Sequence, residues 1–156
     1  MTPPVSEHVP IARLLAVAYR QLVDGLHERL AARGWDDVRP SYGFVLLALR
    51  DGEATVTDLA GLLGVSKQAT SKLLDQMVEG RYVTRAAPAS DARQRTVVLA
   101  PRGRELLTAV EEIYVELEGA WADHVGTRAV DRLHTTLTEV VLAANQGTFP
   151  AVRPTG

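Results

Sequence analysis

Hydrophobic residues in the first fifty positions recur at intervals of three and four, the spacing of one face of an α-helix. The pattern predicts a long helix from about Val9 to Arg33, ended by Gly34, and a second helix from about Ser41 to Arg50. Residues 35–40 then form the loop between them. The apolar residues of the first helix are Ile11, Leu14, Leu15, Ala18, Leu22, Leu26 and Leu30.

The C-terminal third of the chain shows the same helical spacing in two further stretches. One predicted helix runs from Pro101 to about Asp123, and Thr127 can cap another that follows Gly126. Together these terminal helices are more apolar than a small core needs, so we expect the excess to pack against a second subunit. The alternative is that they pack only within one chain.

The middle of the chain has the capping and turn residues that are typical of a helix-turn-helix. Thr55, followed three residues later by Asp58, indicates a capping box. Small Ala60 allows two helices to approach closely, and Gly64 stands where the chain reverses, a place that favours positive φ. Val65 is expected to pack between the two helices where they meet. Ser66 can cap a second helix, which we expect to end at Gly80.

The second helix of this motif has an apolar side and a polar side. Helical spacing predicts a buried side made of Ala69, Leu73, Leu74, Met77 and Val78. The first turns also carry groups suited to base and phosphate contact, as a DNA recognition helix requires. The candidate DNA contacts are Ser66, Lys67, Gln68, Thr70, Ser71 and Lys72. The alternative is an ordinary solvated helix surface.

A charged hairpin is predicted directly after this helix. Two β-branched runs, Tyr82 to Ala86 and Thr96 to Leu99, flank a polar stretch with Asp91 and Arg93 at its tip and Arg95 near its base. An aspartate two residues from an arginine can orient the guanidinium, which a narrow minor groove attracts. The hairpin could instead be a solvated loop with a weak surface ion pair.

These motifs resemble the multiple-antibiotic-resistance regulator (MarR) family. The matching residues are Leu59-Ala60, Gly64-Val65-Ser66, Asp91-Ala92-Arg93, Val97, Leu99 and Gly103, and the likeness extends from about Ile11 to Ala144. One departure is Ala100, where the family usually has a capping threonine; Pro101 partly compensates because its fixed φ suits a first helical position.

The resemblance implies a mainly α fold with a small β wing, a winged helix-turn-helix. Residues 1–156 form a single domain, with a DNA-binding lobe at about 41–100 and dimerisation helices at about 9–33 and 101–146. The implied function is sequence-specific binding of a pseudo-palindromic operator in double-stranded DNA by a homodimer, most often a repressor that a small ligand releases. The alternative is a winged-helix protein-interaction module without DNA binding.

Charge is distributed unevenly along the chain. The formal net charge is −2, yet residues 66–104 hold eight Lys and Arg against three Asp and Glu, whereas residues 105–156 hold three Arg against eight acids. The basic segment is therefore the one with the DNA-binding motif.

Composition excludes several other classes of protein. There is no cysteine, so disulfides and thiolate metal sites are excluded. No apolar run is long enough to span a membrane and no signal peptide is recognisable, so we expect a cytoplasmic protein. The four histidines lack metal-ligand spacing, and no phosphate loop or catalytic constellation appears. We therefore expect no metal, no cofactor and no enzyme activity.

A ligand pocket is a weaker prediction. In the resembled family, small aromatic or phenolic acids often bind where the first two helices meet the long helix after the wing. The residues here that could line such a site are Tyr19, Arg20, His27, Trp35, Tyr42 and Tyr114. Amphipathic residues that merely cover the edge of the core are the alternative.

Overall fold

The computed structural model describes residues 8–86 and 96–150 of the chain. In these residues the chain forms helices and three short strands. Their order is α1 (Ile11–Ala32), α2 (Pro40–Ala48), β1 (Ala54–Thr55), α3 (Val56–Leu63), α4 (Lys67–Glu79), β2 (Val83–Ala86), β3 (Thr96–Leu99), α5 (Pro101–Val125) and α6 (Thr127–Ala144).

The first two helices lie close to their predicted positions. After α1 the chain reverses at Gly34, which has a φ of 88°. Helix α2 begins at Pro40, one residue earlier than predicted, because the fixed φ of proline suits the first position of a helix. It ends two residues before Arg50.

Helix α3 begins with the predicted capping box. The Thr55 hydroxyl accepts a hydrogen bond from the Asp58 amide at 3.1 Å, and the Asp58 carboxylate accepts one from the Thr55 amide at 3.2 Å. At the other end, Gly64 has a φ of 68°, and its amide donates to the Ala60 carbonyl. Both predictions are confirmed, because capping and left-handed glycine are local properties of the chain.

The three strands form one antiparallel sheet in the order β1-β3-β2. Ala54 pairs with Val97 and Val83 pairs with Leu99, so β3 lies between the strand that precedes the helix-turn-helix and the strand that follows it. Strand β2 begins at Val83 rather than at Tyr82, because Arg81 has a φ of 64° and turns the chain just before it.

A single hydrophobic core joins the sheet to helices α1 to α5. Helix α5 runs across it and contributes buried Leu106, Ile113 and Leu117. The side chains that are fully enclosed include Leu30, Val45, Leu46, Leu49, Leu59, Leu74, Met77, Tyr82, Val83 and Val97. Helices on a small sheet of this kind make a winged helix-turn-helix, as expected.

The two C-terminal helices differ in how much they bury. Helix α5 begins after Ala100, which makes no side-chain cap, and Pro101 occupies its first turn as predicted. Helix α6 begins after Gly126; the expected cap by Thr127 is wrong, because Thr127 is itself the first helical residue. No residue of α6 is buried, although Leu133, Val140 and other apolar side chains lie along it. No helix among residues 8–86 and 96–150 is long and apolar enough to cross a membrane.

Candidate nucleic-acid interface

The N-terminal end of α4 is exposed and firmly capped. The Ser66 hydroxyl accepts a hydrogen bond from the Ala69 amide at 3.1 Å, which confirms the predicted cap. A capped, exposed helix N-terminus also presents backbone amides and a positive partial charge to the outside, which favours an approaching phosphate.

Helix α4 buries the predicted side except in its first turn. Leu74 and Met77 are buried and Leu73 and Val78 pack against the core, as predicted, but two neighbouring residues exchange places. Thr70, predicted to contact DNA, is completely buried, and Ala69, predicted to be buried, is exposed. Thr70 can lie in the core because its hydroxyl donates to the Ser66 carbonyl at 2.9 Å, which satisfies the polar group. Val65 is 48% exposed and does not pack between the two helices as predicted. The helix is anchored by Thr70, Leu74 and Met77.

The outward side of α4 carries most of the predicted contact residues. Lys67, Gln68 and Lys72 are exposed, and Ser71 is half-buried beside them. Further along the same helix, Asp75 forms an ion pair with Arg85 of strand β2. The pair joins α4 to strand β2.

The wing is described only at its base. There the Thr96 hydroxyl donates to the Glu53 carboxylate at 3.0 Å, next to the paired strands β1 and β3. The other predicted wing contacts, Asp91, Arg93 and Arg95, lie outside the described residues.

A cavity of about 180 Å³ lies where α1, α2 and α5 meet. Of the predicted pocket residues, Tyr19, His27 and Tyr114 line it, whereas Arg20 lies on the exposed side of α1 outside the lining. The remaining lining residues are Val23, Leu26, Leu30, Val38, Arg39, Pro40, Gly43, Phe44, Leu46, Leu47, Leu106, Leu107 and Val110. The guanidinium that lines this cavity belongs to Arg39, which was not among the predicted pocket residues. Its position directly before Pro40, at the start of α2, was the sequence feature that could have placed it near the pocket.

Trp35 and Tyr42 were predicted to line the pocket, and this is wrong. Tyr42 is 5% exposed and packs edge-on against the ring of Tyr82, with the ring centres 5.4 Å apart. Trp35 also lies next to Tyr82, with ring centres 6.3 Å apart. Both side chains therefore pack on Tyr82 rather than on the cavity, and contact between aromatic rings adds to the stabilisation from burial.

Burial affects the ionisation of Tyr114, one of the residues that line the cavity. Desolvation raises the pKa of Tyr114 above its ordinary value of 10.0, and Tyr19 adds to the effect. The Tyr114 hydroxyl is therefore a neutral hydrogen-bonding group at neutral pH, set in an otherwise mostly apolar surface. Across the described ranges, no three His, Asp or Glu side chains converge in a way that could hold a metal ion.

Sequence comparisons relate the chain to known regulators. A model of the MarR family matches residues 36–94, which include α2, α3, α4 and β2. The exopolysaccharide II synthesis transcriptional activator ExpG of Rhizobium meliloti (strain 1021) is 28% identical over 102 residues, which is 65% of this chain and 53% of that protein. The chain thus spans about half the length of this relative.

Solved structures share the fold over most of the chain. The reduced form of MarR from E. coli matches with a TM-score of 0.74 and 22% identity, covering 87% of this chain and 99% of that one. RV1404 from Mycobacterium tuberculosis matches with a TM-score of 0.70 and 24% identity, covering 83% and 90%. A MepR mutant from S. aureus bound to an oligodeoxyribonucleotide matches with a TM-score of 0.61 and 19% identity, covering 88% and 99%.

The sequence match includes the helix-turn-helix, and the structural match to reduced MarR covers 87% of this chain. At these identities the structural likeness concerns the fold alone, and the match to the family model is confined to residues 36–94. The chain is therefore similar to MarR-family regulators, in sequence over residues 36–94 and in fold over most of its length.

Proposed function

We propose that the protein controls transcription by binding duplex DNA with α4 in the major groove. The observation that carries this proposal is the exposed first half of α4, where Lys67, Gln68 and Lys72 face outward from a helix anchored by buried Leu74 and Met77. The similarity of the fold to a MepR mutant bound to an oligodeoxyribonucleotide supports the same use of this surface.

The residues proposed to contact DNA follow from the observed rotation of α4. Gln68 can form paired hydrogen bonds with a base edge, and Lys67, Lys72, Ser66 and Ser71 can contact phosphates or bases. Buried Thr70 is not among them. Exposed Ala69 takes its place and offers a methyl group that suits the methyl group of thymine.

The wing supplies the second part of the proposed interface. We propose that Arg93 enters the minor groove beside the recognition helix, that Asp91 orients its guanidinium, and that Arg95 contacts the backbone. The basic balance of residues 66–104 supports this role, because cations on one segment attract phosphates at long range. Repression is the proposed outcome of operator binding.

The proposed DNA-binding form is a homodimer on a pseudo-palindromic operator. Support comes from α6, which has apolar residues along its length and no buried side chain within the described chain. Two recognition helices related by a two-fold axis would read half-sites about one helical turn apart, roughly 10 bp.

Lys72→Ala is expected to weaken binding to all DNA sequences by a similar factor. Loss of one phosphate contact per subunit should also lower the slope of log K against log salt concentration by about one unit for each contact. The measurement is fluorescence anisotropy with a duplex recovered by selection from a random pool, at several salt concentrations.

Thr70→Val is the matched control on the same helix. It keeps the shape of a buried side chain and removes only the hydroxyl that was predicted to contact DNA, so DNA affinity should stay unchanged. Equal losses for both variants would contradict the proposed rotation of α4. Failure of the unaltered protein to show salt-dependent DNA binding would instead favour a protein-interaction module.

We further propose that a small aromatic acid bound in the cavity weakens DNA binding. The mostly apolar lining suits an aromatic ring, Tyr114 offers a neutral hydroxyl, and Arg39 can pair with a carboxylate. A ligand that binds one arrangement of the two recognition helices better than the other shifts the population between them and thereby changes DNA affinity.

Arg39→Gln is expected to reduce the difference between a charged ligand and its neutral analogue. Calorimetric titration of 4-hydroxybenzoate and 4-hydroxybenzamide should show tighter binding of the acid to the unaltered protein and similar binding of both to the variant. Arg20→Gln, on the same protein but outside the cavity lining, should keep the preference. If the amide binds as well as the acid before substitution, Arg39 has no role in selecting the ligand.

A further inference from the structure

A cluster of four side chains contacts the C-terminal end of α4 through Arg102 and Tyr82. Trp35 and Asp37 come from the loop between α1 and α2, Tyr82 precedes β2, and Arg102 lies in the first turn of α5. We call these residues the Arg102 cluster. Arg102 contacts both rings, with its guanidinium carbon 4.5 Å from the ring centre of Tyr82 and 5.5 Å from that of Trp35.

Polar contacts fix the orientation of this arginine. Its Nη1 donates a hydrogen bond to the Gly80 carbonyl at 2.5 Å, and its Nη2 lies 3.5 Å from the Asp37 carboxylate. The Tyr82 hydroxyl donates to the same carboxylate oxygen at 2.5 Å. Burial is the main cause, with this hydrogen bond second, of a Tyr82 pKa above its ordinary value, so the phenol remains a donor at neutral pH.

Through Gly80 the Arg102 cluster contacts the C-terminal end of α4. Gly80 is the C-cap of α4, where the last carbonyl groups have no partner within the helix. A guanidinium at this end satisfies one carbonyl and also interacts favourably with the negative end of the helix dipole. Arg102 therefore attaches the recognition helix to α5 and, through Asp37, to the loop that precedes α2.

We propose that Asp37 and Arg102 are positioning residues for DNA recognition, which hold the C-terminal end of α4 so that its exposed N-terminal half meets the groove at the productive angle. This inference rests on the proposed DNA-binding function. It also supplies a route from the cavity, because Asp37 directly precedes the lining residues Val38, Arg39 and Pro40. Movement of this segment around a bound ligand would move Asp37 and with it the support of α4.

Substitution of Asp37 separates two explanations, because a long-range charge effect and a loss of positioning would change DNA affinity in opposite directions. Removing a carboxylate from a protein that binds phosphates should strengthen binding if only long-range charge matters. Asp37→Asn should instead weaken binding if the carboxylate holds Arg102. A loss of about tenfold is the expected scale for a residue that acts through its neighbours. Asp36→Asn removes the same charge from an adjacent residue, exposed like Asp37 but outside the Arg102 cluster, and as the matched control it should leave affinity unchanged or slightly higher.

A second pair of variants separates positioning from direct contact with phosphate. Arg102→Gln should lower affinity while the salt dependence keeps its slope, whereas a lost phosphate contact would reduce the slope by about one unit per contact. Arg104→Gln removes the same charge from an exposed site two residues along α5 and should have a much smaller effect. Tyr82→Phe, which removes only the hydroxyl, provides a further variant should Asp37→Asn fail to fold.

The experiment measures anisotropy with the duplex recovered by selection, after urea unfolding has confirmed that each variant is folded. Weaker binding by Asp37→Asn and Arg102→Gln at unchanged salt slope supports the inference. Affinity of Asp37→Asn equal to or above that of Asp36→Asn overturns it, as does a reduced slope for Arg102→Gln. If the unaltered protein enriches no DNA from the pool, the proposed function itself fails, and this outcome is distinct from the other two.

Discussion

Leu133→Glu combined with Val140→Glu is expected to convert a homodimer into a monomer of 16.9 kDa. In the single chain the side chain of Leu133 is 41% exposed and that of Val140 is 61% exposed, so a glutamate at either position would be in contact with water. In a dimer the same carboxylates would be buried without partners, which is costly. The substitutions should therefore oppose association far more than they oppose folding of the protomer.

Loss of the dimer should reduce operator affinity at least about a hundredfold. Two linked recognition helices bind with an effective-concentration gain of roughly 10² to 10⁴ over one, and the monomer loses this gain entirely. Sedimentation velocity at micromolar concentration measures the association, and anisotropy with the selected duplex measures DNA binding. The expected result is loss of both together.

Thr135→Glu serves as the control for added charge. Thr135 is exposed on α6 but lies on a different side of the helix from Leu133 and Val140 according to helical spacing. It should leave both the dimer and DNA binding intact. A double variant that still sediments as a dimer would place the association surface elsewhere, and a monomeric unaltered protein would contradict dimerisation itself.

Gly103→Ala is expected to destabilise the fold by about 3 kcal/mol or more, a large share of the roughly 5–15 kcal/mol that stabilises a typical domain. A methyl carbon on Gly103 would lie 2.0 Å from the Tyr82 carbonyl oxygen, far inside van der Waals contact. The same oxygen accepts a hydrogen bond from the Ala100 amide at 3.0 Å, so it cannot withdraw without breaking that bond.

Steric overlap determines that Gly103→Ala lowers the free energy of unfolding rather than raising it. Alanine is favoured over glycine within a helix by about 1 kcal/mol, and that gain is smaller than the cost of separating α5 from the backbone at Tyr82. Such a separation would also disturb Arg102, one residue earlier. The free energy of unfolding in urea measures the effect.

Gly61→Ala is the matched control for helix propensity. Gly61 lies within α3, and a methyl group there would meet open space. It should raise the free energy of unfolding by about 0.5–1 kcal/mol, because only the propensity term remains. A Gly103→Ala protein as stable as its parent would show that the contact between α5 and Tyr82 relaxes freely.

Sequence alone was sufficient where the determining interactions are local. The capping box of Thr55 and Asp58, the turn at Gly64 and the Ser66 cap all involve residues within about four positions of one another. The helix-turn-helix and the strands beside it follow from such signals together with hydrophobic spacing. The resemblance to the MarR family rested on Gly64 and Ser66 together with the Asp91-Ala92-Arg93 motif and residues near them.

Tertiary structure decided which way these elements face. The first turn of α4 buries a threonine whose hydroxyl donates to the Ser66 carbonyl, and a pattern that treats threonine as polar places Thr70 outside. The exposure of α6 likewise depends on how much surface α5 covers, which no periodicity within α6 reveals.

The aromatic residues show the same division most clearly. The amphipathic character of Trp35 and Tyr42 suggested that they line a ligand pocket near the first two helices. Tyr82 lies 40 residues beyond Tyr42 and 47 beyond Trp35 in the sequence, and only the fold brings these rings together. Arg102 then joins them from α5. Sequence by itself determined the elements, the caps of α3 and α4 and the basic balance of residues 66–104, because those depend on neighbouring residues. The composition of the cavity and the support of the recognition helix were decided by packing between distant segments, where burial and available partners override local preference.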